Sequence, residues 1–230
     1  MQNIAHRGAS GYAPENTHAA FELAIEMGAD KIETDIQLSR DSELVLFHDA
    51  TVDRVTDGSG AVEDFTLAEL RELDCGAWFG PEFAGQRIVT LAELLETYLD
   101  RIPLVLEIKE PRAAVPMMGD IPETDRIEIT SFDWDALRMA RAQNETFTFG
   151  FLTPVFEEEV IERCVDEGFA QICPRVDALT SELVAKAHAA GLIVRAWGVT
   201  RREDIAHLRQ TGTDGATCNW PDWMTVPRNP

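Results

Sequence analysis

Residues 31–38 read KIETDIQL, and residues 103–109 read PLVLEIK. In both stretches apolar side chains alternate with polar or charged ones, which is the pattern of a β-strand with two different faces. Six further short β-rich runs lie at residues 3–6, 126–131, 146–152, 170–174, 192–197 and 215–218. Strands that alternate with helical patterns indicate parallel βα units. Eight such strands in 230 residues predict an α/β fold, a (β/α)8 TIM barrel.

Patterns of helical period lie between these runs, at residues 16–29, 90–100, 133–143, 155–168, 180–191 and 202–212. Several begin after Asn, Thr or Asp and end at Gly, which are common helix caps. The stretch PRAAVPMMGDIPETD (111–125) is short and rich in proline. We therefore do not expect a full helix between the third and fourth strands.

Two stretches fall outside this alternation. ELVLFHD (43–49) is β-like and follows the second strand through SRDS (39–42). A tight turn there predicts a hairpin in which residue numbers that sum to about 81 lie opposite each other, so that Glu33 faces His48. We interpret residues 51–89 as a small cap inserted into a single domain that covers residues 1–230.

Composition narrows the range of partners. The chain has 41 acidic and 20 basic residues and a net charge of −21. Such a surface repels nucleic acid and anionic membranes, so we expect neither as a partner. No apolar run approaches the ~18 residues of a membrane helix, and no signal peptide is recognisable, so we expect a cytoplasmic protein. A site for an anionic small molecule must be built locally, from a metal ion or a few basic side chains.

Glu33 and Asp35 share the polar face of KIETDIQL, and Glu107 has the same place in PLVLEIK. In a barrel the apolar face meets the helices, so these three carboxylates should point inward. Like charges in a poorly solvated place are costly, and a bound cation would compensate them. Oxygen ligands favour one Mg²⁺ or Ca²⁺. The alternative is simple ion pairing with nearby basic residues, namely Lys31, Lys109 and Arg7.

Two histidines are expected beside this cluster. His6 ends the first strand, next to the second, and the hairpin brings His48 to the same mouth of the barrel. Two imidazoles at one metal site indicate an acid and a base. Arg7 and Lys109 can hold phosphate oxygens, and we interpret Asn16 as the cap of the first helix. These features together predict metal-dependent hydrolysis of a phosphodiester.

The chain resembles the glycerophosphodiester phosphodiesterase family. HRGASGYAPENT (6–17), IETDIQLSRDSELVLFHDATVDRVTDGSG (32–60), LAELRELDCGAWF (67–79) and LVLEIK (104–109) resemble its successive blocks, and the similarity continues in ITSFD, WGV and GTDGATCNWPDW. The resemblance implies a TIM barrel with an inserted cap. It also implies hydrolysis of glycerophosphodiesters to an alcohol and sn-glycerol 3-phosphate, after attack by either the glycerol hydroxyl or water.

By matching position, the resemblance implies a set of site residues. The acid/base pair would be His6 and His48, and the Mg²⁺ or Ca²⁺ ligands would be Glu33, Asp35 and Glu107. Phosphate would be held by Arg7 and Lys109, and Trp197 would border the glycerol. The chain departs from the usual family pattern in a few places beside this set, namely at Val89, Gly198, Thr200, Cys218 and Asn219 and in a shorter stretch after Lys109.

Two other functions remain compatible with the sequence. One is a lysophospholipase D-like phosphodiesterase on the same scaffold, a type expected at membranes or outside cells. The other is a barrel that binds phosphate esters without turnover, although simple binding needs no acid/base pair. The sequence predicts no oligomeric state.

Overall fold

A computed structural model describes residues 1–225 of the chain. Its single sheet contains β1 (Gln2–His6), β2 (Lys31–Leu38), β3 (Leu44–Leu46), β4 (Leu104–Ile108), β5 (Ile127–Ser131), β6 (Thr148–Thr153), β7 (Gln171–Pro174), β8 (Ile193–Val199) and β9 (Gly215–Cys218). All except β3 pair in parallel, in the order β1-β9-β8-β7-β6-β5-β4-β2, and β1 also pairs with β2. The ring is therefore closed, and the predicted TIM barrel is confirmed.

The helices are α1 (His18–Glu26), α2 (Leu67–Leu70), α3 (Leu91–Tyr98), α4 (Pro111–Asp120), α5 (Trp134–Gln143), α6 (Glu158–Asp166), α7 (Ser181–Ala189) and α8 (Arg202–Thr211). They surround this barrel, except for α2, which lies in the segment 51–89. The cap signals act as expected. Thr90 and Glu93 form a capping box at the start of α3, and Gly212 ends α8 in the left-handed conformation. Within residues 1–225, no helix has the length and apolar character needed to cross a membrane.

The helix α4 corrects a sequence-based expectation, because a full helix was not predicted between β4 and β5. Pro111 occupies the first turn, where a missing N–H group costs nothing. Pro116 lies inside the helix on its exposed face, so water can satisfy the carbonyl that loses its partner. The opposite face is buried, and it consists of Ala113, Ala114, Met117 and Met118. Packing of this face outweighs the two prolines.

The hairpin of β2 and β3 forms, but its register differs from the predicted one. Leu38 pairs with Leu44 and Ile36 with Leu46, so opposite residue numbers sum to 82. Ser39 also bonds to Glu43, which leaves a three-residue loop that ends at Ser42 with φ 66°. The prediction that Glu33 faces His48 is therefore wrong. His48 follows the end of β3 and reaches the barrel mouth from a loop.

Residues 45–88 build a second, smaller hydrophobic cluster, whose buried members are Val45, Phe47, Val52, Val55, Val62, Leu70, Cys75 and Ile88. The cluster joins β3 to the segment 51–89 and is separate from the main core around the barrel. On this basis we propose that 51–89 is a cap within one domain. The predicted domain also includes residues 226–230, which lie outside the described residues.

The loop after β1 packs tightly against α1. A Cβ atom at Gly8 would lie 2.6 Å from the backbone carbon of Ala20, and Gly8 has φ 80°. Gly212 has nearly the same φ, 79°, but a Cβ atom there would have nothing within 4 Å. The two glycines therefore separate the cost of backbone conformation from the cost of a steric clash.

We expect Gly212→Ala to lower the free energy of unfolding by about 1–2 kcal/mol, the usual cost of a left-handed alanine. Gly8→Ala should cost about 1–3 kcal/mol more, because the added methyl group must displace the backbone of α1. Urea denaturation of both variants measures the difference. Equal losses would mean that the loop moves away from α1 without cost.

Candidate active site

The candidate site is a cavity of about 350 Å³ at the carboxyl ends of the barrel strands. Six of the eight predicted site residues line it, namely His6, Arg7, Glu33, His48, Glu107 and Trp197. The other two, Asp35 and Lys109, lie directly behind this lining and contact it. The barrel therefore brings together side chains that are far apart in the sequence.

The three predicted metal ligands are neighbours. Asp35 in β2 is level with Glu107 in β4, and Glu33 in β2 is level with His6 in β1. Each of the three carboxylates offers an oxygen atom, and these atoms all lie within 4.8 Å of one another. All three residues are buried, with Asp35 fully so. The strand alternation thus produces the inward acidic cluster that the sequence predicts.

Burial makes this cluster electrostatically unfavourable without a cation. It raises the pKa of Glu33 well above the usual value, and the charges of Asp35 and Glu107 add to the effect. Burial and Asp35 together raise the pKa of Glu107 to about 7. Burial acts in the same direction on Asp35, but Arg7 and Lys109 outweigh it and leave the pKa of Asp35 below its usual value.

The donor set fits a hard divalent cation. All the available ligand atoms are carboxylate oxygens, which suit Mg²⁺ or Ca²⁺. Asp35 Oδ1 is buried and forms no hydrogen bond among residues 1–225, although Lys109 Nζ lies 3.5 Å from it. A buried carboxylate oxygen without a donor is costly, and a cation would satisfy it. The ion pair with Lys109 therefore leaves this oxygen without a hydrogen bond, and a bound cation would supply a closer partner.

Two basic side chains partly offset these charges. Arg7 Nε lies 3.1 Å from Asp35 Oδ2, and Lys109 Nζ donates to Glu107 Oε1 at 2.7 Å. Arg7 also adopts φ 57°, which is unusual for a residue with a side chain. In this conformation its backbone N–H group donates to the carbonyl oxygen of Glu33 at 2.8 Å. Arg7 lines the cavity, and Lys109 lies behind the lining, next to Glu107.

His6 is oriented by a residue from the last strand's end. Its Nδ1 lies 2.5 Å from Asn219 Oδ1, so Nδ1 carries the proton and Nε2 is the basic atom. Burial lowers the pKa of His6 to about 4, and the charge of Arg7 acts in the same direction. The ring is therefore neutral near pH 7. Asn219 was noted in the sequence only as a departure from the family pattern.

His48 is oriented by a carboxylate instead. Its Nδ1 donates to Asp49 Oδ1 at 2.6 Å. In the neutral ring, Nδ1 therefore carries the proton and Nε2 does not. Burial lowers the pKa of His48, although the negative charge of Asp35 opposes that shift. The two imidazoles therefore differ in the partner of Nδ1, an amide oxygen for His6 and a carboxylate for His48.

At the rim, Trp197 borders the cavity. Its ring packs edge-on against Phe132, with centroids 5.1 Å apart, and its Nε1 donates to the carbonyl oxygen of Thr153 at 3.2 Å. Gly198 follows with φ 79°. These contacts fix the indole as one wall of the cavity.

The sequence model of the Glycerophosphoryl diester phosphodiesterase family matches residues 6–223. The chain belongs to this family. The predicted family and its enzyme class, a phosphodiesterase, are thereby confirmed.

Relatives of this phosphodiesterase match it over nearly their whole length. A glycerophosphodiester phosphodiesterase of Caldanaerobacter subterraneus is 38% identical over 230 residues, and the match covers 96% of this chain and 95% of that protein. YhdW of Bacillus subtilis is 37% identical, covering 97% and 96%. A phosphodiesterase of Oleispira antarctica, solved in complex with the product sn-glycerol-3-phosphate, is 31% identical with a TM-score of 0.91, covering 97% and 95%.

Asn16 is a site residue that the sequence analysis misassigned. Thr17, not Asn16, caps α1. Asn16 is buried with φ 56°, donates from Nδ2 to Asp35 Oδ2 at 2.9 Å and accepts from the Thr34 hydroxyl at 2.8 Å. Its place immediately before a helix gives the same signal as a cap, so the sequence could not separate the two roles. In the phosphodiesterase it orients the Asp35 carboxylate.

A chain of ion pairs links Arg7, in the loop after β1, to His48, in the loop after β3. The sequence analysis did not identify it. Arg54 donates to both oxygens of Glu15, at 2.8 and 2.7 Å, and to both oxygens of Asp49, at 2.5 and 3.1 Å. Glu15 also accepts from Arg7 at 2.9 Å, and Asp49 accepts from His48. Arg54 therefore connects the cap segment to the loop after β1 and lowers the pKa of Asp49 to about 2.

We expect Arg54→Met to raise the pKa of His48. The substitution removes a nearby positive charge and leaves the charge of Asp49 free to stabilise the imidazolium. An NMR titration of the histidine ring protons measures the shift. Arg71→Met is a matched control, because Arg71 forms a single ion pair, with Glu93, at nearly the same exposure of 44% against 45% for Arg54. An unchanged or lower pKa of His48 would contradict the linkage.

The raised pKa values of Glu33 and Glu107 predict a dependence on metal and pH. Between pH 4.5 and about 7 the metal-free folded protein holds protons on these groups that the unfolded chain loses. Its free energy of unfolding should therefore fall as pH rises through this range. Binding of Mg²⁺ or Ca²⁺ at pH 7 should release protons and remove the decline.

Calorimetry in buffers of different ionisation enthalpy measures this proton release, and urea denaturation at several pH values measures the stability. Glu107→Gln should abolish part of the proton release. Glu96→Gln, an exposed change in α3, should leave it intact. Metal binding without proton release would refute the assignment.

Proposed function

We propose that this family member is a metal-dependent glycerophosphodiester phosphodiesterase that produces an alcohol and sn-glycerol 3-phosphate. The observation that carries the proposal is the convergence of two imidazoles on a cluster of three carboxylates in one cavity. A site that only binds phosphate esters has no need of two imidazoles, each oriented by a separate Nδ1 acceptor. The product named for the Oleispira relative supports the same product class here.

Substrate binding is assigned to the charged lining. Glu33, Asp35 and Glu107 would hold one Mg²⁺ or Ca²⁺, whose chemistry there is to neutralise charge on phosphoryl oxygens. Arg7 and Lys109 add two fixed positive charges beside this cluster. The rigid guanidinium fork of Arg7 suits phosphate oxygens in particular.

The roles of the two histidines in proton transfer are assigned from the group that accepts the hydrogen bond of each Nδ1. His6 has a neutral amide partner and a pKa of about 4, so its Nε2 is free to accept the proton of the attacking hydroxyl. His48 has the carboxylate of Asp49 behind it, which favours the protonated ring more than an amide oxygen does, although burial keeps the pKa of His48 below its usual value. We assign His48 as the donor of the proton to the leaving alcohol. Both a glycerol hydroxyl and a water molecule carry the proton that His6 would accept.

The remaining expectations concern partner and place. The cavity suits a small molecule, and the strongly acidic composition disfavours nucleic acid and anionic membranes. A cytoplasmic location stays a prediction from the sequence.

We expect His6→Asn and His48→Asn each to reduce the release of glycerol 3-phosphate by about 100-fold or more, the usual scale for losing a general acid or base. A coupled assay on a panel of glycerophosphodiesters measures this, and circular dichroism checks the fold. His207→Asn, in α8 outside the cavity, should retain activity.

EDTA should abolish the same activity, and added Mg²⁺ or Ca²⁺ should restore it. Full turnover in either site variant would refute the acid/base assignment. Turnover of lysophosphatidylcholine in preference to glycerophosphocholine would instead favour a lysophospholipase D-like function.

A further inference from the structure

Arg195 is a buried cation that the proposed mechanism does not use. It lies in β8 two residues before Trp197, so both side chains share one face of the strand and Arg195 lies deeper in the barrel. It is 2% exposed and lines the same cavity. Arg195 thus forms part of the floor of the cavity, below the rim made by Trp197.

Most of the hydrogen-bonding capacity of Arg195 is unused. Its Nη1 donates to the hydroxyl of Thr217 at 2.8 Å. Neither Nε nor Nη2 has a hydrogen-bond partner among residues 1–225. A guanidinium is always charged, and burying its donors without acceptors is costly. The charges of Glu128 and Glu33 partly compensate this cost, but the guanidinium remains short of hydrogen-bond acceptors and lines the cavity.

The other side chains that line the cavity around Arg195 indicate what kind of ligand would accept its hydrogen bonds. The walls above the floor include the apolar side chains of Phe132, Leu152 and Trp197. The floor also contains the hydroxyl of Thr130, which is buried and likewise has no partner among the described residues. Apolar walls over a floor rich in donors suit a short carbon chain that carries hydroxyl groups.

We propose that Arg195 is a specificity-determining residue whose guanidinium donates hydrogen bonds to the hydroxyl oxygens of the substrate's glycerol group. This rests on the proposed function, which places the phosphate between the carboxylates and the imidazoles. The glycerol then lies inward, and the head group lies toward the mouth. A cationic head group is excluded from the floor by the charge of Arg195.

This orientation decides which bond is broken. In the net reaction the oxygen of water bonds to phosphorus, the bond between phosphorus and the head-group oxygen breaks, and that oxygen takes a proton. The phosphate stays on the glycerol. The opposite orientation would release glycerol and leave the phosphate on the head group.

The test compares two ligands that differ only in the hydroxyl groups. Isothermal titration calorimetry on the Mg²⁺-loaded protein measures binding of sn-glycerol 3-phosphate and of n-propyl phosphate. The parent protein should prefer glycerol 3-phosphate by about 10-fold or more, the scale of hydrogen bonds to a charged donor. In Arg195→Met this preference should fall to within about 3-fold, while the affinity for n-propyl phosphate changes little.

Two further variants sharpen the result. Arg195→Lys, which keeps the charge but loses the planar fork, should retain part of the preference. Arg175→Met is the matched control, because Arg175 is exposed at the end of β7 and paired with Asp177. It should bind both ligands as the parent does. Thermal unfolding checks that each variant is folded.

Several outcomes would overturn the proposal. These are a parent that binds both ligands equally or binds neither, an unchanged preference in Arg195→Met, and an equal loss of both affinities, which would mean that Arg195 holds the phosphate or supports the metal site. If Arg195→Met does not fold, the parent and Arg195→Lys decide by the same criteria.

Binding does not require turnover, so a protein with the preference but no hydrolysis would refute the proposed function and keep the role of Arg195. Where turnover is present, glycerophosphocholine gives a further readout. The parent should yield choline, and Arg195→Met should also yield phosphocholine. Choline as the sole product of both would refute the role of Arg195 in orientation.

Discussion

The mutual repulsion of three buried carboxylates is the constraint on which the rest of the site depends. Glu33, Asp35 and Glu107 lie within 4.8 Å of one another in a place that water hardly reaches. Their neighbours are arranged to reduce this cost. Arg7 and Asn16 both reach Asp35 from backbone conformations of positive φ. Such conformations are unfavourable for residues with side chains, so the polar contacts must outweigh the strain.

The orientations of the two histidine rings depend on both the cap segment and the barrel. His6 belongs to the barrel itself and is oriented across the β1–β9 pair by Asn219. His48 comes from the loop after β3 and is oriented by Asp49, which Arg54 ties to Glu15 in the loop after β1. The relative position of the two rings is therefore set by a hydrogen-bonded network that crosses from the cap to the barrel, and sheet pairing alone does not determine it.

Local patterns in the sequence predicted the features that depend on strand alternation. The eight barrel strands and the inward carboxylates follow from period-two patterns, because a strand has only two faces. The predicted register of the hairpin was wrong by one residue, because the loop that ends at Ser42 determines it. The roles of Asn16, Glu15 and Arg54 depend on contacts between distant loops, which no local pattern encodes. The helix α4 was missed because burial of its alanines and methionines outweighs the local effect of its prolines.

The pairing of β1 with β9 has a consequence for synthesis of the protein. Asn219, which orients the ring of His6, follows it in the chain by 213 residues and is therefore synthesised much later. Domains generally form their long-range pairs only when the participating segments are available. A nascent chain halted before this segment emerges would contain the acidic cluster and both imidazoles but could not close the barrel. The barrel can therefore close, and His6 can be oriented, only after residues 215–219 have been synthesised.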